Sequence, residues 1–153
     1  MFSLFLKRMK LFIFSILCVF LIFSCSKDQK TINRLEGTWE LVTYYQQSQE
    51  GLKTFIESSG EIIFTPYKLK KTTESTYIRS QNYSVNGIPQ IINESGNYSI
   101  DEKGKRLLIR IKNPDGSYST DIKIEVNTIT STDLKIVGYI NYISQTFIYK
   151  KKK

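Results

Sequence analysis

The sequence predicts an all-β domain of about eight antiparallel strands, arranged as a sandwich or a barrel. Three observations carry that prediction. Apolar and polar residues alternate in segment after segment, the mark of strands with one buried face. The segments recur at roughly 8–12-residue spacing with turn residues between them. The ten tyrosines and nine phenylalanines suit pleated, half-buried surfaces better than helices. No segment combines a helical period with caps.

The 153 residues suffice for one domain behind an apolar leader. Residues 11–24 form a continuous uncharged run after Lys7, Arg8 and Lys10. A spanning helix needs about 20 apolar residues, so this run fits a signal peptide better than an uncleaved anchor. Met9-Lys10, directly before the run, marks a second candidate start besides Met1. The run ends in Ile22-Phe23-Ser24-Cys25, which resembles a bacterial lipobox: an aliphatic residue, then a small residue immediately before the cysteine. Phe23 departs from the small residue usual at its position. Cys18 fits worse, because Leu17 is too large to precede the cut. The resemblance implies cleavage before Cys25 and acylation of its thiol with palmitate-type chains. Stable anchoring takes more than one chain, at about 0.8 kcal/mol per buried CH₂. The address implied is the cell envelope, on the outer membrane. Residues 26–33 are polar without periodicity and read as a tether.

The net charge of +8 is not spread over the domain. Without the three leader cations, 19 basic face 14 acidic groups. Four of those basic groups are the terminal Lys150, Lys151, Lys152 and Lys153, so the body carries about one net positive charge. That leaves no basic stripe for nucleic acid. The chain has no histidine, and both cysteines lie in or at the end of the leader. A disulfide framework, a zinc site with His or Cys ligands, and His-dependent nucleophilic catalysis are thereby excluded.

Taken in order, the first strand puts Trp39, Leu41, Thr43 and Tyr45 on one face. A polar loop to Gly51 leads to a short strand at residues 54–56 and a clearer one at 61–65, stopped by Pro66. Residues 76–83 form a strand before the tight-turn pair Asn86-Gly87. Residues 90–93 and 96–100 follow as two further segments. Leu107, Ile109 and Ile111 alternate with charged residues, as do Ile122, Ile124 and Val126, with the turn Asn113-Pro114-Asp115-Gly116 between them. Leu134, Ile136, Gly138, Ile140 and Tyr142 share a long strand face, where Gly138 suggests a bulge or bend. Residues 145–149 close the domain.

These residues resemble the lipocalin-like lipoproteins of bacteria. Gly37-Thr38-Trp39 opens the first strand soon after the lipidated cysteine, and Gly96-Asn97-Tyr98 makes a Gly-x-Tyr strand. The aliphatic strand at 107–111, a Thr-rich turn before Leu134, and an aromatic last strand running into lysines complete the match over residues 34–150. The resemblance divides the chain into a signal peptide (1–24), lipidated cysteine and tether (25–33), barrel (34–150) and basic tail (151–153). It implies an up-and-down barrel whose cavity holds one small apolar ligand. It also implies that Gly37 and Trp39 close one end of the barrel beneath Lys150, a lysine where that family uses arginine. The ligand would then enter at the opposite mouth, among loops such as 46–60 or 68–74.

Trp39 reads as a plug and not as a ligand contact, because it buries so much area. Tyr45, Tyr98 and Tyr142 are the candidate ligand-orienting residues, their hydroxyls facing an apolar cavity; ordinary strand composition is the competing account. The carboxylate pairs Asp101-Glu102 and Asp121/Glu125 fall in a turn and on a polar face, so they read as solvated surface and not as general acids or bases. No enzyme activity, cofactor or metal is expected. The expected partners are a membrane, through the anchor, and a small apolar ligand. The alternative is an envelope inhibitor or complex subunit with a packed barrel; the barrel interior decides between them.

Overall fold

The computed structural model describes residues 26–69, 71–85 and 87–153. The signal peptide, Cys25 and both candidate start sites lie outside the described residues. Nine strands follow one short helix: β1 (Gly37–Gln47), β2 (Lys53–Ile56), β3 (Ser58–Phe64), β4 (Ser75–Val85), β5 (Ile88–Asp101), β6 (Arg106–Ile111), β7 (Ile122–Ile129), β8 (Asp133–Ile140) and β9 (Ile143–Lys151). From β3 onward sequential strands pair antiparallel, and β1 pairs with β9 from Trp39↔Lys151 to Gln47↔Ser144. With the β1–β3 pairing, that closes eight strands into an up-and-down barrel and removes the exposed edges an open sheet would leave.

The ninth strand is β2. The start of β1 pairs with β3, Gly37↔Phe64 to Glu40↔Glu61. Its end pairs with β2, Tyr44↔Ile56 to Gln47↔Lys53. The two segments expected at 90–93 and 96–100 are one long strand, β5, paired with β4 from Ile88 to Tyr98. Gly138 makes no bulge: it pairs in register with Gln145. The register shifts fall elsewhere, between Leu41 and Thr43 and between Val126 and Thr128.

The stretch read as a tether is helical. The helix α1 spans Ser26–Leu35, so the barrel proper begins at Gly37 and not at residue 34. Ten polar-rich residues hold a helix poorly by themselves, and packing supplies the rest. Ile32 and Leu35 are fully buried. The Gln29 amide donates to the Tyr67 carbonyl and accepts from the Leu69 amide, and Arg34 donates to the Ile129 carbonyl. Two buried aliphatics in ten residues are too few to show a period, which is why the pattern resembles a linker. A 3₁₀ turn at Glu102–Gly104 seats the helix. Gly104 has φ +83°, and a Cβ there would lie 2.2 Å from Thr31 Oγ1, so only glycine admits so close an approach. Among the described residues no helix is long and apolar enough to cross a membrane.

Candidate functional site

The barrel has one closed end and one open end. At the closed end Trp39 is fully buried, and its indole Nε1 donates to the Leu35 carbonyl at 2.7 Å. Lys151 Nζ lies 5.1 Å from the Trp39 ring centre and donates to the Arg34 carbonyl at 3.2 Å. The last two carbonyls of α1 are thus satisfied by one side chain that plugs the barrel and another that covers the plug. A cation at a helix C-terminus is also favoured by the helix dipole. Gly37 opens β1 at φ +107°, with Lys151 Cε 3.2 Å from where its Cβ would stand.

The cation over Trp39 is therefore Lys151, not Lys150. Pairing of the last strand does not stop at residue 150 but continues through Trp39↔Lys151. Along a strand, neighbouring side chains point to opposite faces, so Lys150 turns outward to Asp133.

Above the plug the core is aromatic. Tyr98 packs edge-on to Phe64 and Tyr67 at ring separations of 5.0 and 5.6 Å, and its hydroxyl donates to the Thr65 carbonyl at 2.7 Å. Burial raises its pKa. Tyr98 is core at the closed end, with its hydroxyl already engaged, and it does not line the cavity. Tyr67 and Leu69, in the connection after β3, bond Gln29 of α1 at this closed end as well, so of the two loops expected at the mouth only the β1–β3 connection is there.

The upper half of the barrel encloses a cavity of about 410 Å³. One wall is apolar: Ile109, Ile111 and Ile124 with Phe147 and Ile140. The other wall, on β1, β4 and β5, is polar: Tyr44, Gln46, Arg79, Gln81 and Glu94, with Tyr44 stacked on Phe147 at 4.6 Å where the two walls meet. Arg79 and Glu94 are cross-strand partners, with Nη2 3.0 Å from Oε2 and both side chains largely buried. The Tyr77 hydroxyl donates to the other Glu94 oxygen at 3.1 Å. Arg79 Nε is buried with no hydrogen-bond partner. Two residues farther along β4, Gln81 donates to the Tyr149 hydroxyl at 2.6 Å, a crossbar between β4 and β9. Burial pushes the Tyr149 hydroxyl up to about 12. The Gln46 amide donates to the Tyr44 hydroxyl, which leaves that O–H proton free to donate.

Gly138 also lines the cavity, and nothing lies within 4 Å of where its Cβ would be. Its missing side chain is part of the space. Around the mouth Ile88, Ile122, Ile140, Tyr142 and Ile143 are exposed.

Two of the tyrosines expected to orient a ligand are displaced for local reasons. The register shift after Leu41 reverses the faces of β1: Tyr44 and Gln46 turn in, and Tyr45 turns out. Tyr45 is covered from outside by Phe55 of β2, at 5.4 Å, and by Lys53. Tyr142 sits in the β8–β9 turn at φ +65°, 83% exposed. Sequence reasoning missed Arg79 and Gln81, although a signal existed: Tyr77, Arg79, Gln81 and Tyr83 share one face, and two tyrosines mark it as inward.

Comparison with known proteins supplies a family. The model of a lipocalin-like domain matches residues 35–136. No curated protein matches the chain. Among solved structures, the barrel is similar to a de novo designed fluorescence-activating β-barrel, at 13% identity and TM-score 0.49, covering 80% of this chain and 97% of that one. It is similar to mFAP0, a redesigned barrel bound to DFHBI, at 15% identity and TM-score 0.44, covering 77% and 99%. It is also similar to the S-type phycobiliprotein lyase CPES of Guillardia theta, at 9% identity and TM-score 0.45, covering 86% and 96%.

Proposed function

Because the chain belongs to the lipocalin-like domain family, we propose that it is a non-catalytic binding protein that holds one small, largely apolar molecule in the upper half of its barrel. The observation that carries this is the hollow interior. A packed barrel would favour the inhibitor or complex-subunit reading. A cavity of about 410 Å³ lies instead in the range of small-molecule sites, and one of its walls is continuous aliphatic and aromatic surface. Glu94, the carboxylate in that wall's polar counterpart, is tied to both Arg79 and Tyr77, which suits orientation better than proton transfer.

The test is titration of the purified domain with the neutral, environment-sensitive dye N-phenylnaphthylamine. Saturable fluorescence enhancement, lost in Gly138→Phe, is the expected result. An unenhanced signal, or one that Gly138→Phe leaves unchanged, overturns the reading.

The same proposal places the protein at the envelope, on the outer membrane, tethered through acylated Cys25. The exposed apolar side chains around the mouth support uptake of an apolar ligand from a lipid surface. Incorporation of labelled palmitate that disappears in Cys25→Ser tests the anchor; a chain that keeps its leader and takes no label overturns it.

A further inference from the structure

Resting on the binding function just proposed, we infer that the Arg79–Glu94 pair makes the cavity selective for a ligand carrying an uncharged hydrogen-bond acceptor, such as an ester, ketone or amide carbonyl, and sets it against a carboxylate. Around Arg79 the polar wall has a surplus of donors. Both Glu94 oxygens are occupied, one by Arg79 and one by the Tyr77 hydroxyl. Arg79 spends one terminal nitrogen on Glu94, while its Nε–H is buried with no partner. The Tyr44 hydroxyl accepts from Gln46 and has its own proton to give. Around the Arg79–Glu94 pair the wall therefore offers donors and no free acceptor, the amide oxygens of Gln46 and Gln81 lying farther toward the mouth. Nε itself is too buried for a ligand to reach; the donors a ligand meets are the Tyr44 hydroxyl and the remainder of Arg79, which lines the cavity.

Charge then decides which acceptor. An unpaired guanidinium would draw in a carboxylate. Here the Glu94 carboxylate lies 3.0 Å from Arg79 and neutralises it in advance. A ligand carboxylate beside Arg79 would lose its hydration and meet a like charge a few ångströms farther on, in surroundings that screen poorly. A carbonyl oxygen takes the same hydrogen bond without either penalty. The rest of the ligand lies against the apolar wall of Ile109, Ile124 and Phe147.

The experiment displaces bound N-phenylnaphthylamine with methyl laurate or with ionised laurate. The wild type is expected to bind the ester at least tenfold more tightly. Hydrophobicity alone would give that preference, so the deciding variant is Glu94→Gln. It keeps an oxygen to accept from Tyr77 but restores the full charge of Arg79, and the ester-to-laurate ratio is expected to swing at least tenfold toward laurate. Arg79→Met/Glu94→Gln, which carries neither charge, is expected to show no such swing. A ratio unmoved by Glu94→Gln, or a wild type that prefers laurate, overturns this inference and leaves the binding function standing. Failure of the dye itself to bind overturns both.

Discussion

The two halves of the barrel share eight strands and differ in what they do with their polar atoms. In the closed half the polar groups around the plug have partners within the chain, Trp39 Nε1 with Leu35, Lys151 with Arg34 and Tyr98 with Thr65, and one buried oxygen, Asp28 Oδ1 on α1, has none. The side chains between them are fully buried, Phe64, Leu107 and Leu134 among them. In the open half Arg79 Nε has no partner, Gly138 contributes no side chain, and the strand ends expose isoleucines. One end is finished almost entirely by the chain itself. The other leaves donors and volume for something else. Stability and binding are therefore assigned to different ends, and substitutions can separate them.

The largest effect is expected at the plug. Trp39→Ala removes the largest fully buried side chain and leaves the Leu35 carbonyl without its donor. Loss of a buried aromatic costs about 3–5 kcal/mol, a large share of the roughly 5–15 kcal/mol available to a domain. Urea denaturation should show a domain close to unfolded without denaturant. A variant losing less than about 1 kcal/mol would show that the closed end is not where stability resides.

Alkali should attack the same half. Tyr149 is held up to about 12 in the fold against 10.0 in the free side chain, first because burial disfavours its phenolate. Tyr77 and Tyr98 are raised too, again chiefly by burial. A raised folded pKa stabilises fully below the unfolded value and is lost as pH climbs through the folded one. The urea midpoint should therefore hold up to about pH 10 and fall beyond it, with Tyr149 alone contributing about 3 kcal/mol at about 1.4 kcal/mol per unit. In Tyr149→Phe that alkaline fall should be shallower.

A smaller loss is expected when only the cover of the plug is removed. Lys151→Met keeps the aliphatic stem over Gly37 and Trp39 but removes the ammonium from the ring and from the Arg34 carbonyl. A partly buried cation–π contact and a helix-terminus charge together contribute about 1–2 kcal/mol. Lys150→Met, which breaks only an exposed pair with Asp133, should stay within about 0.5 kcal/mol. Equal losses for the two would show that Lys151 is not the cover of the plug.

What the sequence revealed divides along the same line. Alternation carried the strands, their antiparallel order and the inward set Leu107, Ile109, Ile111, Leu134 and Ile136, because a period of two is unambiguous where one face is aliphatic. It failed where one residue breaks the period. The shift after Leu41 moved Tyr45 outside and brought Tyr44 in, and no composition signal marks a bulge. It failed again at α1, whose buried face is two residues, and in β4, where the inward Arg79 and Gln81 look like surface residues until the flanking tyrosines fix the face. Closed-end residues are legible because burial selects apolar types. Cavity residues are not, because a polar side chain facing a hollow and one facing water have the same identity.

The smallest effect on stability is expected at Gly138, and there the two halves separate most cleanly. Its backbone pairs regularly with Gln145, its φ lies outside the left-handed region, and a Cβ meets nothing within 4 Å. Gly138→Phe should therefore leave stability within about 1 kcal/mol of wild type, with any gain coming from the reduced freedom of the unfolded chain. The new ring would project into the cavity, toward the polar wall across from it. Thermal melting of the variant beside the wild type, run with the dye titration, reads both quantities. An unchanged melting temperature with dye binding abolished would place binding in the hollow half. A melting temperature several degrees lower would mean that β8 is packed there, and the cavity smaller than its geometry indicates.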